Sequence, residues 1–593
     1  MLTLLSAVPM VMLALASDPL LEATRSPLTL LSAFRQWLLP AKKPKGGVSL
    51  DPDNIRAAAP AEEVDTPRVK WLGHAGFVYQ FRNTSILMDP WFFQAFCWSW
   101  FPFPNNRWML EDVTQYSYDY LYISHLHEDH FDERVLKQVP KTVTIICADY
   151  VSKTLELRFR ELGFNKIMPL SHLQSCTLSD GVKVTMILDL SAKEDSGLLI
   201  ESPLAGRETP HRFLHLNDLN TRQSELPKNV DILSSQFAGA QWYPGAYHYD
   251  DEDQKKISAK ILNSLFNVLS NKVKATEAKA LIPSAGVACF LDTSGESNDV
   301  FRFNDFSKGE SIFPCWDQFA EKFNFKEAFP DVEVLRLLPG DRVTTRPDGS
   351  ANMVSFPGRY RPESSTWRHE TEDRLRIYSE MRREEWMEMY EPVKPVTMEE
   401  MQTYIKRLQR ENKVLMKETG LKKHLSFHTK NLHCYAILGL VGSKVGPFDQ
   451  APPEFQEEYS FTTDDRILRL VIEDKICAWE DALLSMRVRL KRNPDVYDMN
   501  LMAIMRYGDK PAITQKVAEL HGMAKENMEM IEHPSMPGVK FQRYCPHQGE
   551  DMKNAVIVNG VITCPRHGWE FCANTGKCLK GGNASLKMEK LQW

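Results

Sequence analysis

The chain has 593 residues, 43% of them hydrophobic, too long for one hydrophobic core and matched to roughly three or four domains of about 100–200 residues. Basic and acidic residues are intermixed, 72 against 78, for a formal net charge of −6. No basic stripe tracks a phosphate backbone, which excludes nucleic acid as an expected partner. Eleven cysteines are too sparse for a disulfide scaffold and suit a reducing, cytoplasmic compartment.

In chain order, residues 1–65 form an apolar and linker segment. It opens MLTLLSAVPMVMLALASDPLL, apolar from Met1 to Ala16 but interrupted by Pro9. It lacks a basic start and falls short of the ~20 residues that span a bilayer, leaving membrane association through residues 1–20, a signal segment or a misassigned start codon open. After a Lys-, Pro- and Gly-rich break come short β-branched and aromatic runs such as VKWLGHAGFVYQF, SILMDPWF, YDYLYISHLHEDH and HRFLHLND. Helical patterns over 132–139 and 251–273 separate them, so residues 66–300 read as a strand-rich α/β domain. Residues 301–525 are an accessory region, charged and helical over about 360–425 and mixed beyond, where DDRILRLVIEDKICAWEDALLSMRVRLKR is amphipathic. Residues 530–593 read as a small all-β unit with its own glycine punctuation.

Two motifs carry chemistry. Cys545-x-His547, sixteen residues, then Cys564-x-x-His567 offers two thiolates and two imidazoles from two loops joined by the strands NAVIVNG and VITC. A Cys2His2 zinc site is one use of such a set. Both cysteines precede proline, however, and the second loop continues PRHGWEF and then NTGKC. This resembles the Rieske motif, which implies that Cys545 and Cys564 hold one iron of a [2Fe–2S] cluster and His547 and His567 the other. Respiratory Rieske proteins carry an added cysteine in each loop. Here Gly549, Glu550 and Arg566 fill those loops, a pattern similar to the oxygenase and ferredoxin type.

The second motif, YISHLHEDHFD, places His125, His127, Asp129 and His130 directly after an apolar strand run. Four ligand-type residues in six, delivered by a strand-to-helix loop, point to a metal site. The pattern resembles the metallo-β-lactamase fold, an αββα sandwich, and WLGHAGFVYQF with ILMDPWF is similar to its lactone- and phospholipid-hydrolase branch. That resemblance implies Asp218 of RFLHLNDLN as a further ligand, and places Trp71, His74 and Asp89 near the metal mouth. His74 and His248 are candidate substrate contacts, Asp129 the catalytic candidate and His215 either a support behind the ligands or a structural residue. The loop LDLSAKEDSGLL lacks the histidine that ordinary members carry there, and Ala285 or Gly286 stands where the last histidine is expected. A two-zinc hydrolase would be under-coordinated, whereas two imidazoles and a carboxylate suffice for one non-haem Fe(II).

A Rieske unit fused to such a domain resembles the CMP-N-acetylneuraminate hydroxylase family, as do SSQFAGAQWYPGAYHYDDED and LIPSAGVACF in layout. The resemblance implies a Rieske-type iron monooxygenase using O2, a small-molecule substrate and an electron-donor reductase, ferredoxin or cytochrome b5-like protein. A homo-oligomer is implied by analogy with oxygenases that pass electrons between subunits. In that family the Rieske unit precedes the metal domain; here it comes last. The dinuclear-iron oxygenase, the hydrolase with a regulatory Rieske unit and the non-enzymatic electron carrier stay open as alternatives. The rings from Trp91 to Phe93 and from Trp98 to Phe103 are expected in the core, at an interface or along a pocket.

Overall fold

The computed structural model describes residues 65–590 apart from 151, 190–193, 222, 287, 292–299, 355–377, 386, 388–391, 474–477, 508–529, 544, 547–551, 566–567 and 583. The apolar start, His547, His567, Gly549, Glu550 and Arg566 lie outside the described residues.

Two sheets face each other. The first has eight described strands in the spatial order Ala351–Val354, Arg342–Thr345, Arg68–Gly73, Gly76–Phe81, Thr84–Met88, Tyr120–Tyr122, Thr144–Ala148 and Ile167–Leu170. The second has seven, in the order Glu333–Val334, Ala280–Ser284, Ile232–Gln236, His211–Asn217, Ser196–Ser202, Lys183–Leu188 and Ser175–Thr177.

The period-2 alternation of side chains decides what each face buries. On His211–Asn217, Phe213 joins Phe77, Ile86 and Ile145 in the core between the sheets. Leu214 and Leu216 face the other way, packing with Leu269 and Val273 of the helix Asp251–Thr276. Asp250 caps that helix by accepting from the Asp253 N–H at 2.8 Å. Val135 and Leu136 of Glu133–Leu136, with Leu155 and Phe159 of Thr154–Glu161, close onto the first sheet. The result is the expected αββα sandwich. It runs beyond residue 300, because the last three short strands complete the outer edges of both sheets.

The accessory region is helical over Met398–Glu411 and Lys413–Thr419 and mixed beyond. It builds a five-stranded sheet, ordered Lys444–Pro447, His433–Gly439, Lys422–His428, Tyr459–Thr462, Arg489–Arg492, and covers it with Met398–Glu411, Asp465–Ile472, Ala478–Leu484 and Met499–Tyr507. Its apolar core is continuous with Trp91, Phe96 and Trp100 of the metal domain, so these rings are interdomain core. The Trp100 indole N–H donates to the Leu484 carbonyl at 2.8 Å. At the C-terminal side, a three-stranded and a four-stranded sheet enclose Phe541, Ile562, Trp569 and Phe571, the small all-β unit expected there.

A candidate metal centre

The site lies at the strand ends facing the accessory region. Tyr120–Tyr122 leads into Ser124, whose N–H and hydroxyl donate to Asp89 Oδ1 and Oδ2 at 2.8 and 2.9 Å. Asp89 follows Thr84–Met88 with φ 39°, a left-handed conformation that turns its carboxylate inward. From there Asp89 Oδ2 reaches His130 Nδ1 at 3.1 Å and His215 Nε2 at 3.3 Å. His215 is fully buried and also meets the Ser234 hydroxyl at 3.2 Å.

The motif histidines converge. His125 Nε2 and His127 Nδ1 point at each other 2.8 Å apart, a separation that requires a proton or a cation between two lone pairs. His130 Nε2 lies 3.8 Å from both Asp129 Oδ2 and Asp218 Oδ2. Two overlapping groups of ligand atoms result, each lying within 4.8 Å of one another: His125, His130 and Asp218, and His74, Asp129 and His130.

His74 therefore belongs to the cluster. It sits at the tip of the two-residue turn between Arg68–Gly73 and Gly76–Phe81, where Gly73 pairs with Gly76. The turn holds His74 at φ 49° and Gly73 at φ 113°. The Trp71 indole N–H donates to the His74 carbonyl at 3.0 Å, and the Ala285 N–H reaches the same carbonyl at 3.3 Å. Where a last histidine was expected and Ala285 stands, the hairpin brings an imidazole instead, with His74 Nε2 3.0 Å from Asp129 Oδ2. His248, by contrast, is exposed; its N–H donates to the Leu490 carbonyl, and none of its described contacts reaches the cluster.

The residues fit a cation. His130 Nε2, His74 Nδ1, Asp129 Oδ1 and Asp218 Oδ1 are buried without a hydrogen-bond partner. Burial opposes a charged His130 ring, yet Asp129, Asp89 and Asp218 outweigh it and hold its pKa up at about 10. Burial pushes the Asp218 carboxyl above its ordinary range, with Asp129 adding to the effect. Burial opposes the charge on Asp89 as well, but hydrogen bonds from His130 and His215 hold its carboxyl well below the usual range. Several carboxylates thus share a dry pocket with one cationic ring, an imbalance that a multivalent cation removes.

Each motif imidazole also has an outer carboxylate, as metal-bound histidines do. Asp89 serves His130. Asp195 stands 3.4 Å from His125 Nδ1, and Glu480, from the accessory region, 3.3 Å from His127 Nε2. Sequence reasoning missed Asp195 and Glu480; the acidic loop EDS was the signal for the first.

In the C-terminal unit, Cys545 and Cys564 are buried in one apolar cluster. The Cys564 N–H donates to the Trp569 carbonyl at 2.8 Å and its carbonyl accepts from the Gly568 N–H at 3.0 Å, a tight loop around the thiol. None of the ten described cysteines forms a disulfide. Two buried thiols on loops that also carry His547 and His567 in sequence suit a Rieske cluster.

Comparison with known proteins agrees with both units. The Rieske [2Fe-2S] domain family matches residues 530–588, and the beta-lactamase superfamily domain matches residues 68–192. A protein of Mycolicibacterium smegmatis named as a Rieske 2Fe-2S iron-sulfur protein is 26% identical over 542 residues, 88% of this chain and 100% of that one. Cytidine monophosphate-N-acetylneuraminic acid hydroxylase of Danio rerio is 26% identical over 269 residues, 40% of this chain and 42% of that one. Among solved structures, CmlA, a diiron beta-hydroxylase from Streptomyces venezuelae, is 18% identical with a TM-score of 0.30, covering 48% of this chain and 54% of that one. Among the described residues no helix is long and apolar enough to cross a membrane. The chain joins a metallo-β-lactamase-fold domain to a C-terminal Rieske [2Fe–2S] domain.

Proposed function

We propose that the protein is a Rieske-dependent non-haem iron oxygenase whose metal centre is the histidine–aspartate cluster. The observation that carries this reading is the pair of overlapping ligand groups sharing His130, in a chain that also holds a Rieske domain. With its Nδ1 turned to Asp89, His130 has one nitrogen for a metal and serves one position only. The other donors of the two groups, His74 and Asp129 on one side and His125 and Asp218 on the other, leave room for a second iron. The likeness to a hydroxylase over 269 residues supports oxygen chemistry. Iron bound there supplies the redox steps that dioxygen activation requires. The overall reaction converts substrate C–H, O2, two electrons and two protons to C–OH and water. Cys545, His547, Cys564 and His567 would hold the Rieske cluster, which would supply single electrons from an external ferredoxin, reductase or cytochrome b5-type donor.

This chain's residues bind and orient. His74, His125, His127, Asp129, His130 and Asp218 are the ligands. Asp89, Asp195 and Glu480 fix the rings, and the Trp91, Phe96 and Trp100 core keeps bulk water out of the flank facing the accessory region.

Iron, zinc and acid-labile sulfide measured on anaerobically purified protein, with electron paramagnetic resonance after dithionite reduction, test the proposal. About four irons to two sulfides with a Rieske signal is the expected result. Three irons would replace the pair by a single iron; two irons with two zincs would return the metal domain to the hydrolases.

A further inference from the structure

One buried carboxylate near the cluster does not come from the metal domain. Glu480 lies on Ala478–Leu484 of the accessory region and is 2% exposed. The neighbouring Trp479 fixes this helix in the accessory core, packing on Phe427 and Phe461 and donating its indole N–H to the Tyr404 hydroxyl at 3.0 Å. Glu480 is thereby turned toward the metal domain, where its Oε1 stands 3.3 Å from His127 Nε2. The other nitrogen of that ring, Nδ1, faces His125 Nε2. One face of the His127 ring therefore looks into the cluster and the other onto a carboxylate contributed from more than 300 residues along the chain.

Glu480 is itself held. The Arg506 Nε–H donates to its Oε1 at 3.0 Å and Nη2 donates to the same oxygen. Arg506, on Met499–Tyr507, lies with its guanidinium 4.9 Å from the centre of the Trp242 ring. The Tyr497 side chain hydrogen-bonds Arg506. The Tyr497 backbone reaches the next domain: its N–H donates to the Gly581 carbonyl at 3.3 Å and the residue bridges to Gly582. Gly581 and Gly582 press against Trp569, where an added Cβ would come within 2.5 and 2.1 Å of the indole. The Trp569 carbonyl accepts the Cys564 N–H.

The geometry points to Glu480 as a positioning residue for the metal centre, coupled through Arg506 and Tyr497 to the Rieske domain of the same chain. The inference rests on the metal site proposed above. A carboxylate on His127 Nε2 keeps the proton there and aims the Nδ1 lone pair into the cluster. Arg506 pins that carboxylate, and Tyr497 ties Arg506 to the backbone beside the cysteine loop. Polar contacts thus run from the metal domain to Gly581 of the Rieske domain inside one polypeptide, and packing of Gly581 and Gly582 on Trp569 carries the contact on to the cysteine loop.

The test uses the full-length protein with cobalt(II) in the metal domain, comparing the unaltered chain with Glu480→Gln and Tyr497→Phe. If the unaltered chain takes up no cobalt there, the metal-site reading itself fails before any variant is considered. Given uptake, Glu480→Gln is expected to lose about 10–100-fold in cobalt affinity by chelator competition and to shift the visible cobalt bands, while the dithionite-reduced Rieske signal is retained. Tyr497→Phe, which removes only a hydroxyl, is expected to shift the same bands in the same direction with an about 2–10-fold loss. Unchanged bands and affinity in Glu480→Gln would overturn the positioning role. Unchanged bands in Tyr497→Phe alone would overturn the coupling to the Rieske domain. Should Glu480→Gln fail to fold, Glu480→Asp, which keeps the charge but draws the carboxylate back from His127, takes its place with the same readouts and the same deciding outcomes.

Discussion

Asp89 Oδ2 lies 3.1 Å from His130 Nδ1, and this contact turns His130 Nε2 toward Asp129 and Asp218. The same carboxylate collects Ser124 and His215, so one residue fixes the ring shared by both ligand groups. Asp89→Asn is expected to weaken metal binding about 10–100-fold, read by chelator competition. It is also expected to destabilise the metal domain by about 3–5 kcal/mol, because it breaks a buried charged network on one side only. Equal metal affinity in the variant would remove Asp89 from the site.

His74 gives a second prediction. If the hairpin imidazole supplies one of two metal positions, His74→Ala lowers the iron content by about one atom per chain and leaves acid-labile sulfide unchanged. Iron quantified against sulfide in the same sample checks this. A full complement of iron would return His74 to a role at the mouth of the site.

Metal removal should be visible in stability. The carboxylates of the cluster repel one another without a cation, so metal binds the folded form preferentially. At a free concentration about 100-fold above Kd, the gain is about 2.7 kcal/mol. Thermal melts of chelator-treated protein, before and after metal is returned, report the shift. No shift would mean that the cluster takes no metal.

The two active units should separate chemically. Cys564→Ser is expected to abolish the Rieske signal and the labile sulfide while leaving metal-domain iron in place. Loss of all iron together would show that the two sites assemble as one.

His211 sets a pH dependence away from the metal. Burial depresses its pKa from 6.5 to about 4, with Asp231 only partly opposing. Below pH 6.5 the unfolded chain takes up a proton that the folded chain refuses. Stability therefore falls as the pH drops from 6.5 toward 4, by about 3 kcal/mol in all. Urea midpoints across this window should have a shallower slope in His211→Gln than in the unaltered protein; identical slopes would sink the assignment.

Sequence reasoning reached the part of the site that is local. His125, His127, Asp129 and His130 share one loop, so their spacing marked them, whereas Asp218 came only with the resemblance to the metallo-β-lactamase fold. His74 was harder, because its place depends on a hairpin tip whose only mark is a glycine on each side of His74 and Ala75. Glu480 was illegible: WEDALL reads as an amphipathic helix, and nothing local says that its acidic face meets a histidine of another domain. The sandwich was legible from alternating apolar runs. Its outer strands were not, since Glu333–Val334, Arg342–Thr345 and Ala351–Val354 are short and partly polar.

Those outer strands set where the chain enters and leaves the sandwich. Arg68 on the strand that begins the sandwich pairs with Thr344, and Arg342 in turn pairs with Val354, where the described sandwich strands end. Entrance and exit of the sandwich thus lie two strands apart on one sheet border. Whatever precedes residue 68 and whatever follows residue 354 therefore meet the sandwich on the same border, and the accessory region that follows starts two strands from the one that opens the domain.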